Sequence, residues 1–380
     1  MNIKVSFLNS NLHESNLFNQ ENKLFIDNIS KELGCPINIS DLSDYDCDLK
    51  LIFIASGGSE GLFLENIDKL KEPYYLLSTN ANNSLASSLE ILTYLNNNNL
   101  KGEILHGNIN YIASRIKELV NLNCDLLGVI GKPSDWLIAS IPNYEKIYNK
   151  FNVKLVDIDL NEVVNKYNEI LNSCNGSSEL DKANYFYEAL LFIINKYNLK
   201  GFTIRCFDLL ESIKMTGCLG LSKLNSMGFV STCEGDIMSM ITMYLIRKHF
   251  NSSSFQANPS EIDLSNNRII LAHCAVPLDM VTSFKYDTHF ESKIGVAIKG
   301  KLQETDCTVF RISSNLKDYF VSNAKIVKNL DRNDLCRTQI VLEMKGLVRM
   351  LTHPVGNHHI VFYGKHEEEV KKILKEIYNI

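Results

Sequence analysis

Glu234 and Asp236 stand two residues apart in the run STCEGDIMSMITMYLI, directly before a mostly apolar stretch. Carboxylates at a helix start satisfy free N–H groups and favour the positive end of the dipole. The same pair held inside a protein could instead bind a cation or move a proton. The local sequence leaves both readings open. Three further polar groups recur where strands end or helices begin. Asn258 lies in SFQANPSEID, with Glu261 and Asp263 close behind. His273 in LAHCAV is followed by His289 and Glu291 in THFESK. His353, His358 and His359 lie in HPVGNHHIVFYG. Oxygen and imidazole ligands from distant segments suit a divalent cation such as Mn²⁺, with positions left for a chelating substrate. Each has a structural alternative. Glu234 alone could cap a helix, and His273 on an alternating strand could be a satisfied core histidine. His358 and His359 are adjacent, so in a strand at most one can enter a shared pocket.

The elements that would position these groups follow from periodicity. IKVSFL, LKLIFIAS and PYYLLST are short apolar strands; ESNLFNQENKLFIDNISKEL and NSLASSLEILTYLN carry helical spacing. DLLGVIG and KLVDIDL open a second alternating unit, with helical stretches after KLVDIDL and a strand at FTIRCFDLL. From Asn267 the texture becomes β-rich, in RIILAHCAVP, IGVAIKGKL, CTVFRISS, YFVSNAKIVKN, CRTQIVLEM and HHIVFYG, before the charged helix KHEEEVKKILKEIYNI. The expected architecture is two Rossmann-like parallel α/β domains followed by a β-rich, antiparallel barrel-like C-terminal domain. The boundaries fall at 1–122, 123–266, which carries CEGD, and 267–380, which ends in the terminal helix. The turn ASGGSEGLF lacks the spacing of a dinucleotide fingerprint or a P-loop.

A chain of 380 residues with 45% hydrophobic and 22% charged residues has the balance of a multidomain globular protein. Its net charge of −5 gives no footprint for nucleic acid. The N-terminal MNIKVSFLNS lacks a signal-peptide core, and no apolar run is long enough for a bilayer. The ten cysteines include no CxxC pair and read as reduced small hydrophobes. Expected are a cytoplasmic location and no nucleic-acid or membrane partner.

The ordered set CEGD, ANP, AHC and GNHH, with SGGSEG, LGVIGKPSDWLIAS and FTIRCFDLL before it, resembles the L-fucose/L-arabinose isomerase family over nearly the whole chain. The resemblance implies Mn²⁺-supported interconversion of an aldose and a ketose, in a homo-trimer or homo-hexamer. Its site would lie around the second and third domains. Glu234 then matches a metal-binding acid that also moves the proton, and Asn258 the position of a second carboxylate ligand. His358 or His359 matches an imidazole ligand. His289 best fits a further histidine, with His273 the second choice. Arg205, Asp236, His273, Glu291 and Arg337 are candidates for holding the sugar. The departure is Asn258: an amide oxygen can bind a hard cation but carries no charge and cannot act as a base. A sugar-binding or regulatory homologue without turnover is the alternative, as is an enzyme acting on a modified, anionic sugar.

Overall fold

The computed structural model describes residues 2–10, 16–122 and 124–380. Glu14 and Ser15, where the first helical spacing begins, lie outside them. The chain divides into two compact units, Met1–Cys124 and Asp125–Ile380.

In the first unit the described strands β1 (Ile3–Leu8), β2 (Ile37–Ile39), β3 (Leu49–Ile54), β4 (Tyr74–Ser78) and β5 (Gly102–Leu105) form one parallel sheet. Their order is β2-β1-β3-β4-β5. Every residue of β3 is buried, as expected of a central parallel strand covered on both faces.

The second unit holds another parallel sheet and a barrel. β6 (Asp125–Ile130), β7 (Val153–Ile158), β8 (Gly201–Ile204) and β9 (Val230–Thr232) run parallel in the order β7-β6-β8-β9. Further along come β10 (Phe255–Asp263), β11 (Arg268–His273), β12 (Val281–Asp287), β13 (Ala297–Leu302) and β14 (Asp306–Ile312). β15 (Tyr319–Asn329), β16 (Thr338–Met344) and β17 (His359–Tyr363) complete the set. All but β12 and β13, which pair as a separate ribbon, close an antiparallel barrel in the order β10-β11-β16-β15-β14-β17. The fold is therefore α/β with two parallel sheets and an antiparallel C-terminal barrel.

The helix Ile237–Phe250 joins the two layers of this unit. Its residues from Ile237 to Ile246 are all buried, which explains why MSMITMYLI shows no polar face. One side meets β8 and β9, the other β14 and β17. Met240, Ile241, Leu245, Phe310 and Phe362 share one apolar cluster there. The helix start is thereby held beside the strand that follows His358.

Candidate functional site

β9 ends at Thr232, and the chain turns through Cys233–Asp236 into the buried helix. Such a turn at the carboxyl edge of a parallel sheet is where α/β folds place ligands. Glu234 has φ 66° and Gly235 φ 67°. The left-handed conformation costs a residue with a Cβ about 1–2 kcal/mol, so the surroundings must enforce it. They do. Glu234 O accepts from Ser134 N at 3.1 Å, and Gly235 N donates to Ile204 O at 2.9 Å. The Gln256 side chain brackets the Cys233 peptide, accepting its N–H at 2.9 Å and donating to its carbonyl at 3.5 Å. Gly235 must be glycine, because a Cβ would lie 2.5 Å from Lys132 O and 2.7 Å from Pro133 Cα.

The two carboxylates part company at this turn. Asp236 is fully buried and caps the helix, accepting from Ser239 N and Ser239 Oγ, each at 2.9 Å. It also accepts from Arg311 Nη1 at 3.0 Å and lies 2.8 Å from His358 Nδ1. Arg311, itself fully buried on β14, donates further to Ser140 Oγ and the His358 carbonyl. Glu234 takes no part in the cap. Its Oε1 lies 3.5 Å from His358 Nε2 and 3.7 Å from His273 Nε2. Its Oε2 accepts from the Trp136 indole N–H at 2.9 Å.

Among the described residues, Glu234, His273 and His358 bring one ligand atom each within 4.8 Å of one another. An ion held at roughly 2.0–2.2 Å by all three would space its ligands about 3–3.6 Å apart, close to the 3.5 and 3.7 Å from Glu234 Oε1 to the two imidazoles. His358 Nε2 is buried with no protein hydrogen-bond partner. Since the carboxylate can only accept, His358 Nδ1 carries a proton toward Asp236, which leaves Nε2 as the atom a cation would meet. An imidazole fixed through its other nitrogen by a carboxylate is the usual support of a metal-binding histidine. The residues fit a divalent cation.

The charge on each group is set by its neighbours. Burial alone would raise the carboxyl of Glu234, but the two imidazoles outweigh it and hold it well below the usual range. Burial would likewise raise Asp236, and the charges of Arg311 and His358 bring it down. Burial opposes charging of His358, yet the carboxylates of Asp236 and Glu234 beside it lift it to about 9, so at neutral pH its Nε2 holds a proton that a cation would displace. His289 is pushed down to about 4 by burial, with His273 adding to the effect.

The other candidates are distributed as follows. Asn258, His289 and Glu291 line the same pocket as Glu234 and His273. Cys206, Cys218, Cys233, Cys274 and Cys336 share its wall, and all ten cysteines are free. His289 stands outside the three-residue cluster, its Nδ1 3.1 Å from Ser292 Oγ and its ring edge-on to Phe207. His359 is buried on the other side of β17, edge-on to Phe320, and burial pushes it down to about 3. Arg205 is not in the pocket: it pairs with Asp135 and Asp208 and donates to the Pro133 carbonyl, bracing the 132–135 turn. Arg337 instead ties down the segment before His289, through Thr288 and Asp287. Glu261 is paired with Arg332. Arg311, Gln256 and Trp136 are functional neighbours that no sequence motif points to. The one signal for Arg311 is a lone cation in the apolar strand TVFRI.

No protein-family model matches the chain. Curated proteins similar to it include the sulfoquinovose isomerase of Alkalicoccus urumqiensis, 21% identical over 235 residues, covering 56% of this chain and 52% of that protein. Those of Priestia aryabhattai and Priestia megaterium are each 23% identical over 226 residues, covering 54% of this chain and 51% of theirs. The chain spans about half the length of these curated relatives.

Proposed function

We propose that this protein is a divalent-cation-dependent aldose–ketose isomerase acting on a monosaccharide with an anionic substituent. The observation that carries the reading is the unpartnered, buried Nε2 of His358 facing Glu234 and His273. The similarity to proteins named sulfoquinovose isomerase supports the reaction class and makes sulfoquinovose the first substrate to test.

Glu234, His273 and His358 would hold the cation, of the Mn²⁺ type, and Asn258, which lines the same pocket, is a neutral fourth candidate. The bound cation supplies Lewis acidity toward neighbouring substrate hydroxyl and carbonyl oxygens. Glu234 takes the proton from C2 of the aldose as that C–H bond breaks, and returns it to C1 as the new C–H bond forms. A hydroxyl proton passes from O2 to O1, so atoms and charge balance. Asp236 does not move a proton: it is committed to Arg311, Ser239 and His358 and keeps that imidazole aimed. With Asn258 in place of a second carboxylate, the cation retains more of its positive charge. No Lys or Arg stands among the residues lining the pocket. With Glu234 and Glu291 in the same lining, no side chain there favours an anionic group, and the anionic substituent is proposed on the similarity to the sulfoquinovose isomerases alone.

Asn258 also supports a second reading, a sugar-binding homologue without turnover. Protein purified without chelator and assayed for ketose formation from sulfoquinovose and neutral aldoses, with and without Mn²⁺, separates the two. Mn²⁺-dependent ketose formation supports the isomerase. Tight sugar binding with no ketose from any of them contradicts it.

A further inference from the structure

We propose that Trp136 is a positioning residue for Glu234: its indole N–H fixes one carboxylate oxygen so that the other faces the two imidazoles. The kinetic consequence rests on the isomerase reading above; the hydrogen bond does not.

Trp136 is the one tryptophan in the chain. Its nitrogen donates to Glu234 Oε2 at 2.9 Å, the single hydrogen bond to that carboxylate among the described residues. Oε1 is thereby turned toward His273 and His358. The residue is 50% exposed, so its place is not one that core packing requires. What holds it is specific. Phe207 meets the indole edge-on, with ring centres 5.1 Å apart and planes at 86°. The backbone two residues earlier is tied to Glu234 itself, through Ser134 N and Glu234 O. Arg205 clamps the same turn through the Pro133 carbonyl and Asp135. The indole, the turn and the strained Glu234 peptide therefore form one unit.

A carboxylate oxygen has two lone pairs, so Oε2 can accept from the indole and still receive a proton. An N–H bond to an ionised group is among the stronger ones and restricts rotation about the terminal torsion. Losing it would leave the carboxylate misaimed at the reacting carbons without removing any contact to the rest of the sugar. The expected signature is a fall in kcat with KM nearly unchanged.

Trp136→Phe keeps the ring and removes the donor. In the full-length, Mn²⁺-loaded protein it is expected to lower kcat about ten- to a hundredfold, the loss of one charge-assisted bond, with KM held within about threefold. Unchanged kcat, or a raised KM with kcat retained, would overturn the proposal; the latter would make the ring a stacking face for substrate. A second readout needs neither turnover nor metal. In ¹⁵N-labelled, metal-free protein the single indole N–H resonance should exchange slowly with water despite its exposure, and should shift and exchange faster in Glu234→Ala. An indole that exchanges as freely as exposed tryptophan, and ignores Glu234→Ala, overturns the proposal. Should the wild-type protein turn over no sugar, the isomerase reading fails, and the resonance still decides the link between Trp136 and Glu234.

Discussion

Asp236 satisfies three partners with two oxygens: it caps the helix through Ser239, balances the buried guanidinium of Arg311, and fixes the proton of His358 on Nδ1. Removing one member of a buried charge pair leaves the other unpaired. Asp236→Asn is therefore expected to destabilise the fold by about 3–5 kcal/mol, measured by urea unfolding. Its Mn²⁺ affinity should also fall about 10–100-fold by equilibrium dialysis, because His358 loses its orienting partner. Gly235→Ala tests the turn. A φ of 67° and the approach of Pro133 Cα leave no room for a methyl, so a loss of about 1–3 kcal/mol is expected. At this scale the local sequence shows CEGD only as a pair, and the division into a ligand at Glu234 and a helix start at Asp236 comes with the family resemblance. Both residues are acidic and two apart; only the left-handed turn at Glu234 sends one into the pocket and the other under the helix. Arg311 was not legible, since its partners come from segments as distant as Ser140 and His358.

The helix Ile237–Phe250 carries a second, independent titration at its far end. His249 sits there with its Nε2 2.7 Å from the Tyr378 hydroxyl. Its pKa is lowered, first by burial and then by the charge of Lys248, with Glu369 opposing. A histidine with a depressed folded pKa adds stability above its unfolded value, near 6.5, and loses it as pH falls through the folded value. Wild-type stability should thus decline as pH drops below 6.5. His249→Phe should flatten that part of the decline, as read by denaturant midpoints across pH 5–7.5. Elements with one clear period were readable, among them the apolar parallel strands, the barrel strands from RIILAH onward and the charged terminal helix. β10 was harder: Pro259 and the following carboxylates disguise a strand that tolerates them at a bulge between Pro259 and Glu261. β12 was harder still, because its residues are largely exposed and show no alternation of burial.

At the scale of the whole molecule, the site draws on a parallel sheet, a barrel and the helix between them. A cation held across them would bind the folded state alone. Mn²⁺ at a hundred times its dissociation constant should add about 2.7 kcal/mol of stability, seen as a rise in Tm. His358→Ala should abolish that Mn²⁺-dependent increment whatever its effect on the metal-free protein. The barrel and sheets could be anticipated because their strands are local patterns. The meeting of Glu234, His273 and His358 could not be read from spacing alone, since it depends on closure of β17 against β10. The most direct test is the rate of ketose formation from sulfoquinovose by Glu234→Gln, with Mn²⁺ bound, against the wild type. Mn²⁺-dependent turnover by the wild type is expected, with a loss of about 10²–10⁴-fold in the variant, the range of a missing general base. A folded, Mn²⁺-loaded Glu234→Gln protein that isomerises at the wild-type rate would contradict this expectation.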